Sequence, residues 1–156
     1  MTTLISASKN DFLLGEHPVN LHVETTEWLS DIEFCKTELA FLCKLLNKVL
    51  FSTGNIRKIN ELDMIDKKIK VFKEKTLKEI HDSVISHEQH LASLDENAFA
   101  QEANVIKQEH YKTSMSVKAF MSSVKKVKKE IFDFVEGQMK QSKKIAKDFE
   151  EGNLTL

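Results

Sequence analysis

Histidines are the side chains of this sequence best suited to chemistry, because an imidazole ring titrates near neutral pH and binds transition metals. The chain contains six of them. His87 and His110 lie at positions where the apolar repeat predicts residues that face a core. Folding the chain back on itself about Gly54 and Asp95 places His81 in the same layer as His110. The sequence therefore offers His81, His87 and His110 as candidate ligands of a metal site inside a helical bundle.

The spacing of the acidic residues disfavours such a site. Ferritin-like bundles hold their metals with inward-pointing carboxylates and with a Glu three residues before the ligating His. None of the six histidines has a Glu at that position, and the acidic residues fall beside or opposite the apolar repeats. We therefore expect no metal cofactor, with His87 and His110 as core side chains that hydrogen-bond to a neighbouring Ser, Thr or Tyr111. Replacing His110 with Leu would then be neutral or stabilising, and metal binding is the alternative.

The positions of the cysteines and glycines in the sequence give little support for nucleophilic or phosphate-binding chemistry. Cys35 lies on an apolar helical face, where a thiol is usually a small buried hydrophobic group. Cys35 and Cys43 are eight residues apart on one predicted helix, about 12 Å, which is too far for a disulfide. The four glycines, at positions 15, 54, 137 and 152, form no phosphate-binding loop. We expect a protein without enzymatic activity, and the free thiols favour a cytoplasmic location.

A cluster of basic residues in the last third of the sequence could bind polyanions such as RNA, an anionic lipid surface or an acidic protein. The cluster consists of Lys125, Lys126, Lys128 and Lys129. The nearby aromatic residues, Phe120 and Phe134, belong to the apolar repeat and are not placed to stack on bases. The chain also has a single arginine, so bidentate contacts to phosphate are nearly absent. A solvated helix face is the favoured interpretation, nucleic-acid binding is disfavoured, and weak polyanion binding is a further alternative.

Composition and the scarcity of turn residues predict a single all-α domain over residues 1–156. The chain has 41% hydrophobic and 30% charged residues but only one Pro and four Gly, which is typical of long helices. Its 156 residues suffice for one core. No apolar run approaches the roughly 20 residues of a membrane span. The first residues lack the basic start of a secretory signal.

Apolar residues recur at alternating intervals of four and three residues in three segments, which is the pattern of amphipathic helices. The helices are expected over residues 18–52, 56–93 and 96–150, and the first could instead begin near residue 25. The third could break near Ser114, because Thr and Ser cluster there. The expected core positions are Leu21, Thr25, Trp28, Ile32, Cys35, Leu39, Leu42, Leu46 and Val49, with Phe41 broadening the face; then Ile59, Leu62, Ile65, Ile69, Phe72, Ile80, Val84, His87, Leu91 and Leu94; then Phe99, Ala103, Ile106, His110, Thr113, Val117, Phe120, Val124, Val127, Ile131 and Phe134.

Similar helix lengths favour a long antiparallel up-down bundle of three helices, or four if the third one breaks. Residues 134–150 would then extend past the other helices and leave several apolar side chains in water. Those side chains are Val135, Met139, Ile145 and Phe149. A homodimer formed through residues 134–150, in the manner of a coiled coil, would cover them, as would the N-terminal segment around Phe12. The sequence thus predicts a non-enzymatic interaction or scaffolding module that binds a protein partner or itself.

Overall fold

The computed structural model of the chain describes residues 18–53, 56–94 and 100–152. Helix accounts for all of these residues except Leu94 and the turn at 151–152, and the described ranges contain no β-strand. The prediction of an all-α protein is therefore confirmed. None of the described helices combines the length and the apolarity that crossing a membrane requires.

Three long helices make up the described part of the chain. The first helix spans Pro18–Thr53 and the third helix spans Ala100–Glu150. The second helix is continuous but mixed, with α-helix at Ile56–Val71, a π-helical segment at Phe72–Leu77 and α-helix again at Lys78–Ser93. The first helix begins at its proline, where the missing N–H of that residue is no loss.

The third helix runs through Ser114 without interruption, so the predicted alternative of a break near Ser114 is wrong. Hydroxyl side chains in this region donate back to the preceding turn of their own helix. Thr113 Oγ1 donates to the carbonyl oxygen of Glu109 at 2.9 Å, and Ser116 Oγ donates to that of Lys112 at 3.2 Å. Because these bonds satisfy the hydroxyls within the helix, the Thr and Ser residues do not end it.

Polar pairs between the helices give the order of their contacts. Along the first helix from His22 to Glu33, the partners on the second helix go back from Glu88 to His81. The pairs between the first and third helices keep the same sequence order; they are Glu24 with His110 and Glu38 with Lys128. The second helix therefore runs opposite to the first along these contacts, and the third runs with the first.

Most of the predicted core positions are buried, and the buried apolar residues join all three helices. Two expectations are wrong, because Phe41 and Ile59 are exposed. Phe41 lies on a flank of the first helix that neither neighbouring helix covers, and Ile59 lies near the outer end of the second helix. The predicted core residue Phe99 and the predicted turn residues Gly54 and Asp95 lie outside the described residues.

The π-helical segment was not predicted, although the sequence contains a signal for it. Buried residues of the second helix follow one another at three or four positions up to Phe72, but the next buried apolar residue, Leu77, comes five positions later. A π turn holds one residue more than an α turn. The segment therefore absorbs the surplus residue and keeps the apolar positions of both halves on the same face.

Candidate functional site

Five polar side chains from all three helices form one hydrogen-bonded series across the core. In order, the series is Glu24, His110, His87, Glu109 and His90. The first helix contributes Glu24, the second contributes His87 and His90, and the third contributes the remaining two. His87 is 1% exposed and His110 is 0% exposed. The middle of the series is therefore sealed from solvent, whereas its two ends reach the surface.

Each link in the series is a short polar contact. Glu24 Oε2 lies 2.9 Å from Nε2 of His110, and Nδ1 of His110 lies 2.8 Å from Nε2 of His87. On the other side, Nδ1 of His87 lies 2.7 Å from Glu109 Oε1, and the same oxygen lies 2.9 Å from Nδ1 of His90. Both ring nitrogens of both buried histidines therefore have partners, as the burial of polar groups requires.

Helical periodicity explains why these residues meet. His87 and His110 occupy core positions of the second and third helices, so their rings point inward. Glu24 and Glu109 each stand one residue before a core position, and their side chains are long enough to reach the edge of the core. Trp28, one turn after Glu24, stacks on the ring of His110 with centroids 4.7 Å apart and planes 25° apart. The indole thereby closes one side of the histidine pair.

Glu109 is the carboxylate that the two histidines of the second helix share. Partial burial raises the pKa of this carboxyl, but hydrogen bonds from His87 and His90, and the attraction of both rings, outweigh burial and hold the pKa below its usual value. The ionised form therefore stabilises the fold fully above pH ~4.3, the ordinary Glu value. That stabilisation is lost as pH falls through the lower native pKa.

The prediction that His87 and His110 belong to the core is confirmed. Their main partners differ from the expected hydroxyl groups, since the two rings bond to each other and to two carboxylates. The sequence showed Glu24 and Glu109 beside the apolar faces, where a carboxylate is usually solvated. The helix contacts that turn these two side chains toward the histidines join residues 86 and 22 positions apart. A pattern confined to one helix does not reveal such contacts.

The structure does not assemble the three predicted metal ligands into one group. The ring nitrogens of His81 lie 3.5 Å from Glu33 Oε1 and 3.6 Å from Asp82 Oδ1. The facing nitrogens of His87 and His110 are 2.8 Å apart, a hydrogen-bond distance, whereas two nitrogens on one tetrahedral zinc ion would be about 3.3 Å apart. Among the described residues, no group of three or more His, Cys, Asp or Glu side chains is arranged to hold a metal ion.

The lysine cluster is partly neutralised by carboxylates. Lys125 and Lys126 are exposed, as predicted. Lys128, also predicted to be exposed, is half-buried because its Nζ donates to Glu38 Oε2 of the first helix at 3.1 Å. The fourth lysine of the cluster donates to a carboxylate one turn later in its own helix; this pair is Lys129 with Asp133. Within the part of the chain that the structure describes, these pairs leave two cations of the cluster unengaged, Lys125 and Lys126, which is a weak basis for polyanion binding.

Neither thiol lies in surroundings that activate it. Cys35 is buried, with Sγ 3.8 Å from Sδ of Met121, and Cys43 is half-buried. Burial raises the pKa of both thiols, which lowers the fraction of reactive thiolate at neutral pH. The cysteines therefore act as packing residues in this fold.

The fold and the site define an all-α protein whose three described helices are joined by a buried series of histidines and glutamates. Comparisons of the chain with protein-family models, with curated proteins and with solved structures gave no match.

Proposed function

We propose that the protein is a non-enzymatic helical interaction module that associates with a second copy of itself through the end of its third helix. The observation that carries the proposal is a row of apolar and small residues that continues past the bundle at alternating four- and three-residue spacing. The row consists of Phe132, Val135, Met139, Ser142, Ala146 and Phe149. This is the heptad spacing of a coiled-coil seam. We call these six residues the terminal stripe.

The third helix extends beyond the first. Contacts between these two helices join residues 86 to 90 positions apart, as in Glu24 with His110 and Glu38 with Lys128. At these offsets the last residue of the first helix, Thr53, is level with residues 139–143 of the third. The helix continues to Glu150, about 10–16 Å further at the rise of an α-helix. The far end of the terminal stripe, Ala146 and Phe149, therefore has no neighbour in the first helix.

The terminal stripe is largely in contact with water in a single chain. Phe132, Met139 and Phe149 are 52%, 54% and 59% exposed, and Ile145 beside them is exposed as well. Contiguous apolar surface of this kind on a soluble protein usually marks an interaction site. The expectation that Val135 is left in water is wrong, because this residue is buried against the bundle. The stripe is therefore joined to the core at Val135 and leads outward from it.

Charges beside the terminal stripe favour an identical partner in antiparallel orientation. Glu136, Lys143 and Glu150 recur every seven residues on one flank of the stripe. In a two-stranded antiparallel coiled coil, flanking positions of the same kind face each other. One alignment places Met139 of one copy against Ser142 of the other. The same alignment places Glu136 of one copy opposite Lys143 of the other. A two-fold axis repeats this favourable pair, so one surface suffices for both partners.

Replacing Met139 with Glu is expected to weaken self-association at least about a hundredfold. Burial of one methionine contributes roughly 1.5–3 kcal/mol, and two-fold symmetry counts each loss twice. The monomer should fold normally, because Met139 is half-exposed in it. The measurement is light scattering after size-exclusion chromatography over a range of concentrations.

The matched control for this substitution is Gln141→Glu, which adds the same charge two residues along, on an exposed face away from the terminal stripe. Association of the control should equal that of the parent. Equal association of all three proteins would contradict the proposed surface. Because both cysteines are free thiols, we further propose that the module works in a reducing compartment, the cytoplasm.

A further inference from the structure

We infer that the His87–His110 pair is a proton-binding site that holds three protons on its four ring nitrogens and so carries one positive charge inside the core. The inference follows from the direction of each hydrogen bond in the series. Nε2 of His110 faces Glu24, and Nδ1 of His87 faces Glu109. An ionised carboxylate only accepts, so with Glu24 and Glu109 ionised both of these outer nitrogens carry a proton.

The inner nitrogens require the third proton. Nδ1 of His110 and Nε2 of His87 lie 2.8 Å apart, and a hydrogen bond between them needs one donor and one acceptor. With both carboxylates ionised and only two protons on the pair, one of the three contacts would bring two lone pairs together. The rings are almost fully buried, so water cannot replace the lost hydrogen bond, and an unpaired buried polar atom is costly.

The groups around the pair are suited to a cation. The first helix presents Glu24 and the face of Trp28, and an aromatic face attracts a positive ring. The second helix presents His90, and the third presents Glu109. The next pair along, His22 with Glu88 at 2.7 Å, adds a further carboxylate near the second helix. The two negative charges of Glu24 and Glu109, which contact the pair directly, exceed its single positive charge.

The bound proton couples folding to pH. In an unfolded chain histidines titrate near pH 6.5, so above this pH the two side chains hold two protons unfolded and three folded. Stability then falls as pH rises, by up to a tenfold increase in the unfolding equilibrium constant per pH unit. Below this pH the unfolded pair holds four protons and stability falls with decreasing pH. The inference predicts a stability maximum near the ordinary histidine range.

The variant Glu24→Gln removes the need for the third proton while every hydrogen bond of the series is kept. A glutamine amide donates to Nε2 of His110, and this nitrogen then accepts and needs no proton of its own. The series remains fully bonded with two protons on the pair. Glu33→Gln is the matched control, since it removes the same charge from the same helix, beside the half-buried His81 and outside the series. Neither variant touches the terminal stripe, so the test is independent of self-association.

The test combines nitrogen NMR of the imidazole rings with urea unfolding between pH 7 and 8, both on the full chain. Of the four ring nitrogens of His87 and His110, we expect three to be protonated in the parent and two in Glu24→Gln. With each pH unit, the unfolding equilibrium constant should rise more steeply in the parent than in Glu24→Gln, by a factor of up to ten. In Glu33→Gln it should rise as steeply as in the parent. The buried thiols also contribute to the pH dependence of stability. Because they do so equally in the parent and in both variants, comparing these proteins cancels that contribution. Two protonated nitrogens in the parent, or equal slopes in parent and Glu24→Gln, would overturn the inference; if Glu24→Gln does not fold, the proton count in the parent decides.

Discussion

Replacing Phe120 with Ala is expected to lower the free energy of unfolding by about 3–5 kcal/mol, the range for a core phenylalanine. Phe120 is 4% exposed and belongs to a cluster with residues of the first and second helices. Its ring stacks on that of Phe72 with centroids 5.6 Å apart and planes 15° apart. Truncation therefore leaves a cavity where all three helices meet and removes an aromatic pair. Urea unfolding followed by circular dichroism measures the change.

The control for this substitution is Phe34→Ala, because Phe34 lies exposed on the first helix. Substitutions at such surface positions usually change stability by less than about 0.5 kcal/mol. A loss below about 1 kcal/mol for Phe120→Ala would contradict the burial of Phe120 between the three helices.

Two single-residue deletions in the second helix are expected to have opposite outcomes. Deleting one residue from an α-helix rotates all that follows by about 100° relative to what precedes it. Deleting Lys67 therefore turns Leu62 and Ile65 away from the core and should cost about 3–6 kcal/mol. Deleting Lys75, which lies in the π-helical segment, removes the surplus residue and restores four-residue spacing after Phe72. The expected change in stability is less than about 1 kcal/mol.

The deletions are well matched, because each removes one exposed lysine from the same helix. Thermal unfolding of both variants beside the parent distinguishes them. Severe destabilisation by both deletions would mean that the π-helical segment does more than correct the register of the apolar face. Tolerance of both would mean that the second helix is not held in the described register.

Much of the fold follows from residue spacing. The four- and three-residue repeats predict each of the three helices, and residues such as Ile32, Val84 and Val124 are buried as expected. The repeats also place His87 and His110 in the core. The π-helical segment was missed because the interval from Phe72 to Ile80 is eight residues where a regular heptad has seven. Such a mismatch is small and is easily absorbed when a helix is predicted by its average period.

The bonding of the histidine pair could not be predicted in the same way. Periodicity within one helix fixes which side chains face inward but not which residue of another helix lies opposite. Glu24 and Glu109 have the same sequence context as solvated glutamates at the edge of a stripe. Their role depends on contacts between helices and on the absence of water around two buried rings. As a result, the expectation that His110→Leu is neutral or stabilising needs revision.

His110→Leu is expected to destabilise the protein by about 1–3 kcal/mol, the cost of leaving a buried polar atom unpaired. The substitution removes the partner of Nε2 of His87 and that of Glu24. Glu24 is partly exposed and regains water, whereas His87 does not. Urea unfolding at constant pH measures the loss, and a variant as stable as the parent would mean that the buried series does not hold the helices together.

The most direct test of the proposed function is the mass of the unmodified chain in solution. Sedimentation equilibrium from about 1 µM to 1 mM covers weak and moderate association. The proposal predicts that the mass rises with concentration from 17.9 kDa, that of one chain, toward twice that value and no further, because a two-fold contact closes on itself. A mass of 17.9 kDa at every concentration would contradict self-association through the terminal stripe.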